Sequence, residues 1–179
     1  MPGNERGDAS VLTALFRHNA WANLKLLDFC DGLSNEQLDA TAIGGFGSIR
    51  DTLLHIVRAE VSYVSRVNGK LPEKPLSPGQ FPGFEILKDA ARWASDELLL
   101  LAISTREETI VQERSSRWRV DYRGASLIVQ AITHSTKHRT QISAIITQLG
   151  MEPPDMSGWN YMEESGEFQE IEEGEEGSA

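Results

Sequence analysis

Apolar residues recur at helical spacing in four long segments of the chain. The segments span residues 11–30, 49–68, 85–104 and 126–149. Each repeats its apolar positions every three to four residues, which is typical of an amphipathic helix. Ser48 is suited to cap the second segment, and Gly32, Gly69 and Gly150 follow the ends of three of them. Each helix would be about 30 Å long, and the four apolar faces are buried most simply by packing against one another. The pattern therefore predicts an all-α fold, a four-helix bundle.

The connecting segments differ in character. Residues 34–37 read Ser-Asn-Glu-Gln, a capping box that predicts a short extra helix. Residues 44–47 are rich in glycine and predict irregular backbone, and residues 70–83 contain four prolines and predict a rigid loop. Between the third and fourth helices, residues 109–111 and 118–122 favour strands. We therefore expect a small hairpin there.

The charge is unevenly distributed. The formal net charge is −10, but residues 1–150 hold 17 acidic and 17 basic side chains, whereas residues 151–179 hold ten acidic and no basic ones. This split predicts a nearly neutral domain over residues 1–162, with 19 acidic and 17 basic side chains, and an acidic disordered tail over residues 163–179. A nucleic-acid-binding protein needs a basic surface, so we expect no nucleic-acid partner.

Cysteine content and hydropathy narrow the class of protein further. The single cysteine, Cys30, excludes an intrachain disulfide and a cysteine-rich zinc site, and we expect it to serve in packing. The longest apolar run, residues 98–103, is too short to span a bilayer. The N-terminal residues show no apolar signal region. These features predict a cytoplasmic protein that does not bind membranes.

Three of the four histidines form a candidate metal site. His134 and His138 are four residues apart in the fourth helix, which places both imidazoles on one face, and they share the inward apolar line. His55 lies beside the core line of the second helix and can supply a third nitrogen. Three protein ligands leave a coordination position for water or substrate, as in catalytic sites. Inward histidines also occur as hydrogen-bonded core residues, so a metal-free core is an alternative. His18 has no such partner, and we expect it not to be a ligand.

The same pattern argues against two other classes of metalloprotein. A zinc protease of the H-E-x-x-H type needs a glutamate directly after the first histidine, where this chain has Ser135. A ferritin-like di-iron site needs a glutamate three residues before its histidines. Thr52 and Ala131 occupy those positions here.

Four stretches carry a resemblance to a known family. They are residues 15–23 (Leu-Phe-Arg-His-Asn-Ala-Trp-Ala-Asn), residues 47–56 (Gly-Ser-Ile-Arg-Asp-Thr-Leu-Leu-His-Ile), residues 134–141 with His-x-x-x-His-Arg-x-Gln, and residues 149–155 (Leu-Gly-Met-Glu-Pro-Pro-Asp) followed by Trp159 and Tyr161. Together they resemble DinB-like proteins, the damage-inducible, stress-related family within the DinB/YfiT-like four-helix superfamily. The resemblance covers about residues 10–162.

The resemblance implies a fold, a site and an activity. The fold would be an up-down-down-up four-helix bundle, usually a homodimer. The ligands would be His55, His134 and His138, holding one divalent metal such as Zn, Ni or Fe. Characterised relatives include thiol S-transferases and thiol-dependent isomerases that use low-molecular-weight thiols. One departure is Lys137, where a further histidine is common. We expect this lysine to point outward or to the pocket rim.

The neighbours of the histidines have roles that the sequence leaves open. Asp51 and Gln141 have the spacing to bond ligand imidazoles in their own helices, although Asp51 more often would serve as a helix-start charge. Arg139 suits either a substrate carboxylate or an ion pair between helices or protomers. Glu60 interrupts an apolar line, so it faces either a pocket or a buried arginine.

The leading hypothesis is a metal-dependent enzyme of the thiol S-transferase or hydrolase type. A metal-bound water or thiolate would act as the nucleophile on a small-molecule substrate, without a dedicated protein base. The alternatives are a non-catalytic, stress-related bundle with a structural metal or none, and a scaffold acting through its dimer face or its tail.

Overall fold

The computed structural model describes residues 11–106, 108–114 and 116–168, which form six helices and one two-stranded sheet. The elements are α1 Val11–Asp31, α2 Asn35–Leu38, α3 Ile49–Asn68, α4 Phe84–Ser104, β1 Ile110–Arg114, β2 Arg119–Arg123, α5 Gly124–Gln148 and α6 Gly158–Ser165. The four long helices α1, α3, α4 and α5 correspond to the four predicted segments. The fold is thus mostly helical, as the apolar periodicity predicts.

Local side-chain bonds set the helix boundaries. At the start of α3 the Asp51 amide donates to Ser48 Oγ (3.1 Å), and the Ser48 hydroxyl donates to Asp51 Oδ2 (2.8 Å). Asp51 therefore acts at the helix start and not on a histidine. The helix ends at Gly69, whose φ of 75° is left-handed and favours glycine. The predicted capping box of α2 is also present, with reciprocal bonds between Ser34 and Gln37.

Two apolar clusters hold the long helices together. The first joins the end of α1, the starts of α3 and α4 and the end of α5, through Leu27, Ile49, Leu87 and Ile146 among others. The second joins the opposite ends of the same helices, through Phe16, Val64, Leu98 and Leu127 among others. Hence α1 and α5 run in one direction while α3 and α4 run in the other. Each of α1 and α3 contacts both α4 and α5.

The predicted hairpin between the third and fourth long helices is confirmed. Strands β1 and β2 pair antiparallel, from Ile110 opposite Arg123 to Arg114 opposite Arg119. Val111 is buried and belongs to the second apolar cluster. That contact fastens the hairpin to the ends of the helices.

The C-terminal segment returns along α1. Ser157 caps α6, and Glu164 accepts hydrogen bonds from Trp21 Nε1 (2.9 Å) and Lys25 Nζ (2.6 Å). These bonds hold α6 against α1. The helix ends at Ser165, two residues beyond residue 163, where the acidic tail was expected to start. Residues 169–179, most of that tail, lie outside the described residues, so its disorder stays a prediction. Among the described helices, none is long and apolar enough to cross a membrane.

Candidate metal centre

The structure brings three of the histidines together between α3 and α5. Each offers a ring nitrogen, and these atoms all lie within 4.8 Å of one another. Nε2 of His55 is 3.0 Å from Nε2 of His134. His138 is buried, whereas the other two are partly exposed. We call His55, His134 and His138 the histidine triad.

The donor set and its spacing fit a metal ion. Imidazole nitrogens that lie 2.0–2.1 Å from a tetrahedral ion are about 3.3 Å apart, close to the separation of the two Nε2 atoms. Gln141 Oε1 accepts a hydrogen bond from His138 Nδ1 (2.8 Å), and in the neutral tautomer with the proton on Nδ1 the Nε2 lone pair is available to a metal. In the described part of the chain, this triad is the group of side chains that can hold a metal ion.

The environment keeps two of these imidazoles uncharged. Burial lowers the pKa of His134 to about 4, assisted by the nearby His138, His55 and Lys137. Burial also lowers the pKa of His55, with smaller contributions from His138 and Arg58. A neutral imidazole is the form that binds metal, so at neutral pH both rings are ready to coordinate without losing a proton to water.

Aromatic rings surround the triad. Phe46 stacks on His55, with ring centroids 3.9 Å apart and an interplanar angle of 19°, and meets His138 edge-on at 5.3 Å. Tyr63 meets His134 edge-on, with ring centroids 5.9 Å apart. Phe46 belongs to the glycine-rich loop before α3, so this irregular loop covers one side of the triad.

Gln141 joins the triad to that loop. Its Oε1 accepts from His138, and its Nε2 donates to the backbone oxygen of Gly44 (3.3 Å). An acceptor on Nδ1 sets the tautomer and ring orientation of a ligand histidine. The role that the sequence spacing suggested for Gln141 therefore matches the observed contact.

A second polar cluster lies in the interior between α1, α3 and α5. Glu60, which is fully buried, accepts through Oε1 from Asn19 Nδ2 (2.8 Å), Asn23 Nδ2 (2.8 Å) and Ser135 Oγ (2.7 Å). Arg139 Nη1 donates to the side-chain oxygens of the same two asparagines (2.8 and 2.6 Å). We call these five residues the core polar network. Their arrangement links the Glu60 and Arg139 charges through two amides.

This network resolves two alternatives that the sequence left open. Glu60 does not line a pocket, because it lies in the core, and Arg139 makes an interhelical connection while only 4% exposed. Burial raises the pKa of Glu60, and the three donated hydrogen bonds and the Arg139 charge offset part of the rise. Burial lowers the pKa of Arg139 to about 10, so it remains charged at neutral pH.

Other candidate residues lie where the sequence analysis expected them. Cys30 is buried in the first apolar cluster, and burial raises the pKa of its thiol to about 12, which suits packing and not nucleophilic attack. His18 Nε2 bonds the backbone oxygen of Met156 (3.0 Å) and lies outside the triad. Lys137 is exposed.

Sequence reasoning missed three residues of the core polar network and the ring that stacks on His55. Asn19 and Asn23 are buried on the face of α1 that packs into the core, and Ser135 is buried on α5. The four-residue spacing of the two asparagines within an apolar stripe was the available signal. Phe46 gave no such signal, because nothing local indicates which helix a glycine-rich loop will cover.

Comparison with known proteins agrees with the motifs. The model of the DinB family matches residues 6–174, which is nearly the whole chain. A search of curated proteins gives no match.

Proposed function

The chain belongs to the DinB family, and on that premise we propose that it is a metal-dependent enzyme of the thiol S-transferase or hydrolase type. The observation that carries the proposal is the convergence of His55, His134 and His138, whose ligand atoms lie within 4.8 Å of one another. Three imidazoles suit Zn, Ni or Fe as a single divalent ion.

The architecture we propose is the up-down-down-up four-helix bundle. Its support is the direction of the long helices, with α1 and α5 parallel and α3 and α4 antiparallel to them, as the two apolar clusters require. In this arrangement the ligands come from α3 and α5, which run in opposite directions and contact each other directly.

Each surrounding residue has a distinct part in the proposed chemistry. When bound, a divalent ion with an open position would act as a Lewis acid that lowers the pKa of water or of a thiol. Gln141 holds the His138 ring through Nδ1, which directs its Nε2 toward the other two ligands. Phe46, half exposed and stacked on His55, shields one side of the site and leaves less room for water.

The proposal also covers the partners of the protein. We propose a small-molecule substrate, with a low-molecular-weight thiol as cosubstrate, and a homodimer as the assembly in the cytoplasm. The family resemblance supports the thiol and the dimer, and the absence of a carboxylate from the described ligand group fits activation by the metal alone. Sedimentation equilibrium tests the dimer.

Metal analysis of the purified protein tests the site. We expect about one equivalent of a divalent metal in the wild type and a loss of more than about 100-fold in metal affinity for His134→Ala. Removing a residue that only hydrogen-bonds a ligand lowers metal affinity by about 10–100-fold, and removing a ligand itself should lower it further. The matched control is His18→Ala, which removes a histidine outside the triad and should retain the metal. Metal content that is substoichiometric and unchanged in His134→Ala would refute the site.

An activity screen separates the enzyme from a non-catalytic bundle. Thiol transfer to an electrophile and ester or amide hydrolysis would be measured with the metal-loaded wild type and with His55→Ala. We expect turnover that requires the triad. A protein that binds metal through the triad yet shows neither activity would favour a structural metal.

A further inference from the structure

The core polar network joins α1, α3 and α5, of which α3 and α5 also carry the histidine triad, and the proposed chemistry does not use it. Its five members, Asn19, Asn23, Glu60, Ser135 and Arg139, are each at most 4% exposed. We propose that this network positions α5 so that His134 and His138 face His55. The inference rests on the proposed function, because it gives the network a role in metal binding.

The first support is the interleaving of the two clusters along α5. Ser135 and Arg139 each follow a triad histidine by one residue, which is about 100° of rotation around a helix. The two network residues therefore lie on one face of α5, and the two histidines lie on the adjacent face. Any rotation that displaces the network side chains displaces the imidazoles with them.

The second support is the number of anchors. Ser135 donates to Glu60 (2.7 Å), and one turn further along Arg139 donates to Asn19 and Asn23 (2.8 and 2.6 Å). The same asparagines donate to Glu60 (2.8 Å each), which ties α1 and α3 together. Two anchors one turn apart restrain both the rotation of α5 and its sliding along α3. Hydrogen bonds are directional, whereas apolar contacts tolerate small shifts more readily.

The third support is the precision that a metal demands. Metal–ligand distances must lie within about 0.2 Å of their standard values. An imidazole nitrogen about 6 Å from a helix axis moves by about 1 Å when the helix turns by about 10°. Small rotations of α5 therefore exceed the tolerance of the site. A directional restraint next to the ligands removes that freedom.

Stability alone gives a weaker account of the network. Burying a carboxylate and a guanidinium is costly, and apolar residues of similar volume are often as stabilising or more so. Glu60 even has a buried oxygen, Oε2, without a hydrogen-bond partner in the described structure. Buried polar groups of this kind are best attested as devices that set register. A role in positioning the triad explains why the network lies beside it.

The test compares cobalt binding with stability. The variants are Ser135→Ala and Glu60→Gln, and the controls are Ser143→Ala on the same helix and Ile145→Val in the first apolar cluster. Co(II) titration gives the affinity and the visible absorption spectrum, and urea denaturation of the metal-free proteins gives the stability. We expect both network variants to bind Co(II) about 10-fold or more weakly with a shifted spectrum. The controls should stay within about 2-fold of the wild type, including Ile145→Val despite its loss of stability.

The outcomes separate the two proposals. If the wild type does not bind Co(II), both the proposed function and this inference are overturned. If the wild type binds and the network variants keep its affinity and spectrum, the inference alone is overturned. The inference alone is also overturned if the loss of Co(II) affinity is proportional to the loss of stability across all four variants. A network that only stabilises the fold would give that result. Ser135→Ala removes one hydroxyl, and it keeps the test decisive if Glu60→Gln fails to fold.

Discussion

The core polar network and the histidine triad are polar clusters that both involve α3 and α5, and the network also includes α1, but they differ in how their polar atoms are arranged. In the network, Glu60 Oε1 accepts three hydrogen bonds, and Arg139 donates to two amides. In the triad, two Nε2 atoms face each other, and His134 Nδ1 is buried without a partner in the described structure. Glu60 Oε2 in the network is also buried without a partner, so what distinguishes the triad is that its ring nitrogens converge within 4.8 Å, as the ligands of one metal ion would.

Burial sharpens the contrast. The network is sealed inside the core, whereas His55 and His134 are partly exposed beneath the exposed ring of Phe46. A sealed and mutually bonded cluster contributes to the folded state itself. A partly exposed cluster of converging ring nitrogens contributes to binding. Changes in the network should therefore reduce stability strongly in addition to weakening metal binding, whereas changes in the triad should reduce metal affinity with little effect on stability.

The largest expected effect follows from removing the buried cation. Arg139→Met leaves the Glu60 charge and two amide oxygens without their partner, which should lower the free energy of unfolding by about 3–5 kcal/mol. Urea denaturation measures the loss. The matched control is Arg92→Met, an exposed arginine whose change should be within about 0.5 kcal/mol. Equal losses in the two variants would contradict the structural role of the network.

A change at Gln141 tests the triad, where metal affinity and not stability should fall. Gln141→Ala removes the acceptor on His138 Nδ1 and should weaken metal binding by about 10–100-fold. Stability should change by less than about 1 kcal/mol, because the side chain is partly exposed. Metal titration and urea denaturation give the two values. Gln148→Ala at the exposed end of α5 serves as the control, and an affinity no lower than in that control would exclude the orienting role.

The pH dependence of stability tests the ionisation of Glu60. Burial raises its pKa above the ordinary value of 4.5, so above pH 4.5 the folded state holds a proton that the unfolded state has lost. The contribution of Glu60 to stability then falls as pH rises, by at most about 1.4 kcal/mol per pH unit, until the pH passes the folded-state pKa. Glu60→Gln lacks this carboxyl, so its stability relative to the wild type should rise with pH from 4.5 upward. Urea denaturation of both proteins from pH 4 to 8 measures the difference. A difference in the free energy of unfolding that stays constant over this range would contradict the raised pKa.

The smallest expected effect is on the stability of the metal-free triad. His55→Ala should change the free energy of unfolding by about 1 kcal/mol or less, since the ring is partly exposed and has no complete set of hydrogen bonds. Leu53→Ala, two residues earlier and buried, should cost about 2–5 kcal/mol. Urea denaturation of both variants without metal makes the comparison. If His55→Ala lost as much free energy of unfolding as Leu53→Ala, the triad would contribute to stability like a core residue, which would contradict the comparison.

Much of the fold and of the candidate site was predictable because the signals are local. The stripes of α1, α3, α4 and α5, the Ser48 cap and the capping box of α2 depend on residues within a few positions of one another. The hairpin followed from two short runs of β-favouring residues. The spacing of His134 and His138 places both on one face of a helix, and this holds wherever that helix packs.

Only the tertiary structure decided how those faces meet. Whether Glu60 lined a pocket or joined a buried network depended on the rotation of α3, α5 and α1 about their axes. The same rotation placed Arg139 on two asparagines of α1 instead of on a substrate, and the path of the preceding loop placed Phe46 over His55. A sequence pattern determines which residues share a face, because that depends on the helical period alone. Which face meets which depends on the packing of the whole core, and that is settled by contacts between residues as far apart as Asn19 and Arg139.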